Sequence, residues 1–149
     1  MKVLSIKNPW AYLIAKGFKC VENRTWQTKY RGKILIHVSK KWDVNGMVSL
    51  SDRRDLLSYH EYSEVCSEVN NATGCIIGHV DLVDIVDDSE SKWAVPGEWH
   101  WVLENPVYYE HYVLDVKGRL SLWNYEPQYI ELDTPCCVAY PCCNCNLPF

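Results

Sequence analysis

Phenylalanine and methionine are scarce here, with two of each in 149 residues, while tryptophan occurs seven times and tyrosine ten. The aromatic area is carried almost wholly by rings with a polar handle, which suit half-buried positions and binding surfaces. No apolar run approaches 18 residues, so no membrane-spanning helix and no membrane partner is expected. Met1-Lys2 opens on mixed polar and apolar residues without the 7–15-residue apolar stretch of a secretory signal, and a cytoplasmic protein is expected. Phosphate loops of the GxxxxGK or GxGxxG type are missing. His60 in HEYSE has no second histidine for a zinc-protease helix, and there is no GxSxG elbow.

Acid is also missing from one region. Residues 1–41 hold eight Lys and two Arg with Glu22 as their one carboxylate; residues 42–149 hold five basic and eighteen acidic residues. The net charge of −4 thus hides a basic segment on an acidic chain. Such asymmetry points to a local positive patch that attracts an anion, while the remainder repels polyanions in general. The length suits one domain over 1–149, burying roughly 70% of its unfolded surface.

Of eight cysteines, Cys20, Cys66 and Cys75 are scattered and expected to be reduced. The other five crowd a tail at 134–149. Cys142 and Cys145 have the spacing of a zinc half-site, with Cys136 or Cys137 as the other half. The two halves stand too close along the chain for the usual knuckle, so neither a metal nor a cofactor is expected.

Residues 3–6 read as a strand, Asn8-Pro9 as a helix start and WAYLIAK as two helical turns stopped by Gly17. Lys19 to Trp26 alternates as a strand, with Cys20, Glu22, Arg24 and Trp26 on one face. TKYRG is a turn and KILIHVS a strand buried on at least one side. Residues 43–72 are acidic and Ser-rich with a helical tendency, an insertion by their look. GCIIGHVDLVDIVDD is the longest strand signal, with bends expected at Gly78 and Asp84. WHWVLENP reads as a strand stopped by Pro106, GRLSLW as a helical turn and QYIELD as a last strand. Closely spaced strands with early helices suggest an α+β domain, a small barrel of mixed strands.

The run GFKCVENR sets a cation, an anion and a second cation within short reach. Two unit charges 4 Å apart interact by about 4 kcal/mol at an effective dielectric of 20, so the grouping matters where it is partly buried. Arg24 favours a neutral Lys19 amine, a usable nucleophile or base, and Glu22 favours the ammonium. The plainer arrangement is a Glu22–Arg24 pair closing a barrel edge with Lys19 in solvent. His37, at a strand end, titrates near neutrality and is either an acid–base group or a hydrogen-bonded structural residue.

The signature Gly17-x-Lys19-x-x-Glu22-x-Arg24, with Trp26, the Tyr30-Arg31-Gly32 turn and His37-Val38-Ser39, resembles the ASCH domain family, named for activating signal cointegrator-1 homology. The later stretches GCIIGHVDLVDIV, WHWVLENP and GRLSLW are similar to downstream blocks of its bacterial and phage-type members. The resemblance runs from residue 3 to 132, with 43–72 and the cysteine tail outside it. It implies a PUA-like fold, a small β-barrel with flanking helices, and a cleft lined by Lys19, Glu22 and Arg24. Trp26, Arg31, His37 and Ser39 are placed around that cleft, with Trp10 as a wall.

The implied ligand is RNA, a nucleotide or a modified nucleoside. Lys and Arg would hold phosphate, Trp or Tyr would stack a base, and Glu22 would accept from the exocyclic amine of cytosine or adenine. The alternative is catalysis in the same cleft. One branch of the family hydrolyses N4-acylated cytidines as amidohydrolases, using the signature Lys with a Thr and a Glu. This chain carries Glu22 where that branch has Thr, so Lys19 and Glu22 would be the catalytic pair, with Glu22 a general base for water. A ribonuclease would use His37. A protein-interaction domain built on the acidic segment 43–72 is a third expectation, and no protein partner is singled out.

Overall fold

The computed structural model describes residues 1–69 and 72–127. Six strands form one sheet: β1 (Lys2–Ile6), β2 (Val21–Arg24), β3 (Gly32–Val38), β4 (Cys75–Val86), β5 (Trp99–Val113) and β6 (Leu122–Asn124). Their order is β2-β5-β4-β3-β1-β6, with β1 and β3 parallel and every other neighbouring pair antiparallel. Three helices accompany it: α1 (Trp10–Ala15), α2 (Val44–Ser51) and α3 (Tyr59–Glu68). The mixed sheet curls into a half-barrel, the small α+β barrel that strand spacing suggests.

The curl comes from β4 and β5, whose register shifts at Ile76/Gly78, His79/Asp81 and Leu82/Asp84. Each extra residue bends the strand and increases its twist. Gly78 sits where the strands come closest: a Cβ there would lie 2.2 Å from the Val107 carbonyl oxygen. The bends expected at Gly78 and Asp84 thus fall on two of the three shifts.

α1 has only six residues, yet Ala11 to Ala15 are all buried. It lies between two apolar layers. Ala11, Ile14 and Ala15 join Ile34, Ile36, Ile77, Leu82 and Trp101 under the sheet. Tyr12 and Leu13 join Leu50, Leu57, Val65 and Val69 beneath α2 and α3. So short a helix is held by this packing rather than by its own propensity. The buried Asn8 side chain starts it by accepting from the Tyr12 N–H (3.3 Å) and donating to the Val69 and Ala72 carbonyls. Gly17 stops it at φ +80°, where a side chain would be strained and would also press on Pro106. Residues 43–72 carry α2 and α3, capped by Asp43 and by a Ser58–Glu61 capping box.

Three expectations are corrected. β5 passes through Pro106, because the pairing jumps from Glu104 opposite Asp81 to Val107 opposite His79, and no ladder bond calls for an N–H at Pro106. GRLSLW forms no helical turn: residues 118–121 are loop, Ser121 has φ 61°, and Leu122–Asn124 pair with β1 as β6. The strand expected over 19–26 is regular only from Val21 to Arg24. The expected strand at 128–133 and the tail with its Cys142/Cys145 half-site lie outside the described residues. Cys20, Cys66 and Cys75 are free thiols, and burial pushes that of Cys75 up to about 11. Among the described residues no helix is long and apolar enough to cross a membrane.

Candidate functional site

β2 is an edge strand held by β5, with Glu22 opposite Trp101. Lys19 belongs to the link from α1, where its N–H donates to the Leu13 carbonyl (3.0 Å). Its side chain runs inward, and Lys19 and Glu22 are 4% and 7% exposed. Lys19 Nζ lies 2.9 Å from Glu22 Oε2 and also donates to the Val21 carbonyl. Arg24 Nη2 lies 3.1 Å from Glu22 Oε1 and 3.2 Å from the Ser5 carbonyl. One carboxylate therefore serves two cations, one per oxygen. The arrangement with Lys19 in solvent is corrected: the chain turns it under the strand, where only a carboxylate makes its burial tolerable. Arg24 Nε is buried without an acceptor among the described residues.

Trp10 stands beside this triad, its ring centroid 5.8 Å from Lys19 Nζ. Its indole N–H donates to Asp43 Oδ2 (2.9 Å), while Asp43 Oδ1 accepts from the Gly46 N–H at the start of α2 (2.9 Å). These two bonds hold the Asp43 carboxyl below the usual carboxylate range. Gly46 lets α2 approach, since a Cβ there would lie 2.6 Å from Trp10 Cζ2.

Trp10, Glu22 and Asn23 form a wall shared by two cavities. The larger, about 900 Å³, has a floor of Ser5, His37 and Ser39 and a rim bearing Lys7, Lys40, Lys117 and Arg119. With Arg24 it presents five cations against two carboxylates, Glu22 and Asp115. The smaller, about 480 Å³, contains Lys19, Asp43 and Trp93. Of the residues singled out from sequence, Glu22 and Trp10 therefore face both spaces, Arg24, His37 and Ser39 the larger, and Lys19 the smaller. Trp26 and Arg31 line neither. Trp26 packs edge-on against Trp101 at 4.7 Å, and Arg31 pairs with Asp84 (3.2 Å) and donates to carbonyls of its own turn.

His37 is 2% exposed, and both ring nitrogens are engaged. Nε2 lies 2.9 Å from the Val116 carbonyl, which only accepts, so Nε2 carries a proton. Nδ1 lies 3.1 Å from Ser5 Oγ, which in turn accepts from Trp123 Nε1–H (3.1 Å). The Ser5 hydroxyl thus donates to Nδ1, and the neutral imidazole closes the network. Burial lowers the His37 pKa from 6.5, and that of His79 likewise. A folded-state pKa below the unfolded value means the unfolded chain binds more protons as pH falls through 6.5. Stability is accordingly expected to be full above pH 7 and to decline towards pH 5. Thermal unfolding across that window checks it. His37→Gln should flatten the decline, leaving the share that belongs to His79.

Sequence reading did not find Lys7, Asn23, Lys40, Asp43, Trp93, Lys117 or Arg119. The basic excess of the first forty-one residues contained Lys7 and Lys40. Nothing local marked Lys117 or Arg119, which reach the cleft because Val116 docks between His37 and the Gly74 carbonyl. Among the described residues no group of three or more His, Cys, Asp or Glu could hold a metal ion.

Known proteins match this chain along most of its length. The family model for the ASCH domain matches residues 4–131. Activating signal cointegrator 1 of Homo sapiens is 29% identical over 135 residues, and that of Mus musculus 26%. The alignments cover 80% of this chain and 21% of each relative, so the chain spans about a fifth of the length of the curated relatives it matches. With the family model covering both the strands and the cleft, the chain belongs to the ASCH domain family.

Proposed function

We propose that this protein binds RNA or a nucleotide in the cleft around Lys19, Glu22 and Arg24, reading a base with Glu22 and Trp10. The family generally binds RNA, which is the setting for this reading. The observation that carries it is convergence: Lys7, Arg24 and Lys40 from the basic segment meet Lys117 and Arg119 around one buried carboxylate. A cleft of about 900 Å³ lies within the usual size of ligand sites. The carboxylate oxygens each retain a free lone-pair site after bonding Lys19 and Arg24, enough to accept from an exocyclic amine. The acidic remainder of the surface keeps the attraction local. Binding without bond cleavage suits this geometry best, since both His37 nitrogens already have partners.

The test is a salt titration paired with a base panel. For a short single-stranded RNA, log affinity should fall linearly with log salt, losing about 0.7 in slope per phosphate neutralised. Glu22→Gln should weaken cytosine- and adenine-containing ligands about tenfold or more while leaving uracil ligands unchanged, the discrimination expected of one base contact. An unchanged base preference would remove Glu22 from the reading; a flat salt response would remove the cations.

A further inference from the structure

The smaller cavity holds Lys19 and shares Trp10, Glu22 and Asn23 with the larger, and the rest of its lining differs in kind from that of its neighbour. Its charged groups balance: Lys19, Arg53 and Lys92 face Glu22, Asp43 and Glu98. Several of these are already neutralised, Lys19 by Glu22 and Arg53 by Asp55. Two indoles remain, Trp10 and Trp93, set edge to face with ring centroids 6.5 Å apart. The larger cleft is net positive and the smaller is electrically neutral, aromatic and half the volume.

The corner is also built rather than incidental. Asn23 Nδ2 donates to the Trp93 carbonyl and Asn23 Oδ1 accepts from the Val95 N–H, both at 2.9 Å. His100 Nε2–H donates to the Val95 carbonyl (2.8 Å), and its Nδ1 accepts from the Ser89 N–H (3.1 Å). The loop carrying Trp93 is thus fastened at both of its ends to β2 and β5. Trp10 is fastened opposite it by Asp43.

We infer that the two cavities divide one ligand. The smaller accepts an uncharged planar base beside Trp10 and Trp93, and the larger carries the phosphodiester on Lys117, Arg119 and their neighbours. The ligand crosses the wall at Glu22, so the protein takes a nucleotide turned out of a single strand in preference to a free nucleoside or a duplex. Turning a base out of a single strand costs least, and a pocket for it supplies stacking in return. The inference rests on the proposed nucleotide binding and adds where each part of the nucleotide lies.

The experiment measures binding of cytidine, cytidine 5′-monophosphate and a five-nucleotide single-stranded RNA by calorimetry at two salt concentrations. Trp93→Leu should weaken all three ligands about tenfold, the loss of one stacked base, and leave the salt slope unchanged. Lys117→Ala/Arg119→Ala should leave cytidine unchanged, weaken the RNA, and reduce the slope by about 1.4. Ser49→Phe closes the smaller cavity from the exposed face of α2 and serves if Trp93→Leu does not fold; it should mimic the loss. Normal affinity in both cavity variants overturns the division, as does an equal loss of cytidine and RNA in the Lys117/Arg119 variant. If the intact protein binds none of the three probes, the proposed function itself fails, a result distinguishable from these.

Discussion

Replacing Glu22 with leucine is expected to cost about 3–5 kcal/mol of unfolding free energy, because it removes one partner of a buried ion pair and strands the other. Lys19 is 4% exposed and would keep only the Val21 carbonyl for its ammonium. Arg24 suffers less, since its side chain is 24% exposed and can turn to water. The asymmetry gives a second expectation. In Lys19→Met/Glu22→Leu both buried charges are gone and similar volume remains, so most of the loss should return, as apolar replacements of buried pairs often do. Urea unfolding of the two single variants and the double variant measures the coupling directly. A Glu22→Leu variant within 1 kcal/mol of the parent would mean that the pair is open to water and that this pocket is not dry. The same variants separate stability from recognition: the double variant should fold and still fail to bind.

The two halves of the site differ in how far residues disclose them. Glu22 and Arg24 were legible as a pair because they stand two apart on one strand face. Spacing alone left Lys19 in solvent, and the family resemblance set it beside them, because its place under β2 depends on how the link from α1 turns. The barrel was legible for a related reason: alternation and glycine breaks in β4 report its bends where they occur. What stayed hidden depends on long-range pairing. Trp93 lies 83 positions beyond Trp10 and meets it because Asn23 ties the intervening loop to β2. Pro106 looked like a strand end, since a missing N–H ends a ladder; only the shift between β4 and β5 makes it harmless. Trp26 and Arg31 were drawn into the site by their place in the matching stretch. The strand ends at Arg24, and beyond it the chain turns these two side chains to Trp101 and Asp84. Proximity along a motif holds only as far as the regular element that carries it.

Trp101 provides the second large effect and shows why Trp26 belongs to the fold. Trp101 has no exposed surface and packs with Ile34, Leu82 and Leu103 under the sheet. Its indole N–H donates to the Trp26 carbonyl (3.2 Å), and the two rings meet edge to face. Trp101→Ala removes the ring, opens a cavity and orphans that carbonyl, at a cost of about 3–5 kcal/mol. Trp26 is only partly buried, and its carbonyl bond survives substitution. Trp26→Leu should therefore lose about 1 kcal/mol of edge-to-face and area terms while nucleotide affinity stays the same. Trp10→Leu should do the opposite, weakening the ligand more than the fold, because its ring forms the wall between the two cavities. Thermal unfolding and binding isotherms on the three variants check the assignment. A Trp26→Leu protein of parental stability that no longer bound nucleotide would move that ring from the core into the site.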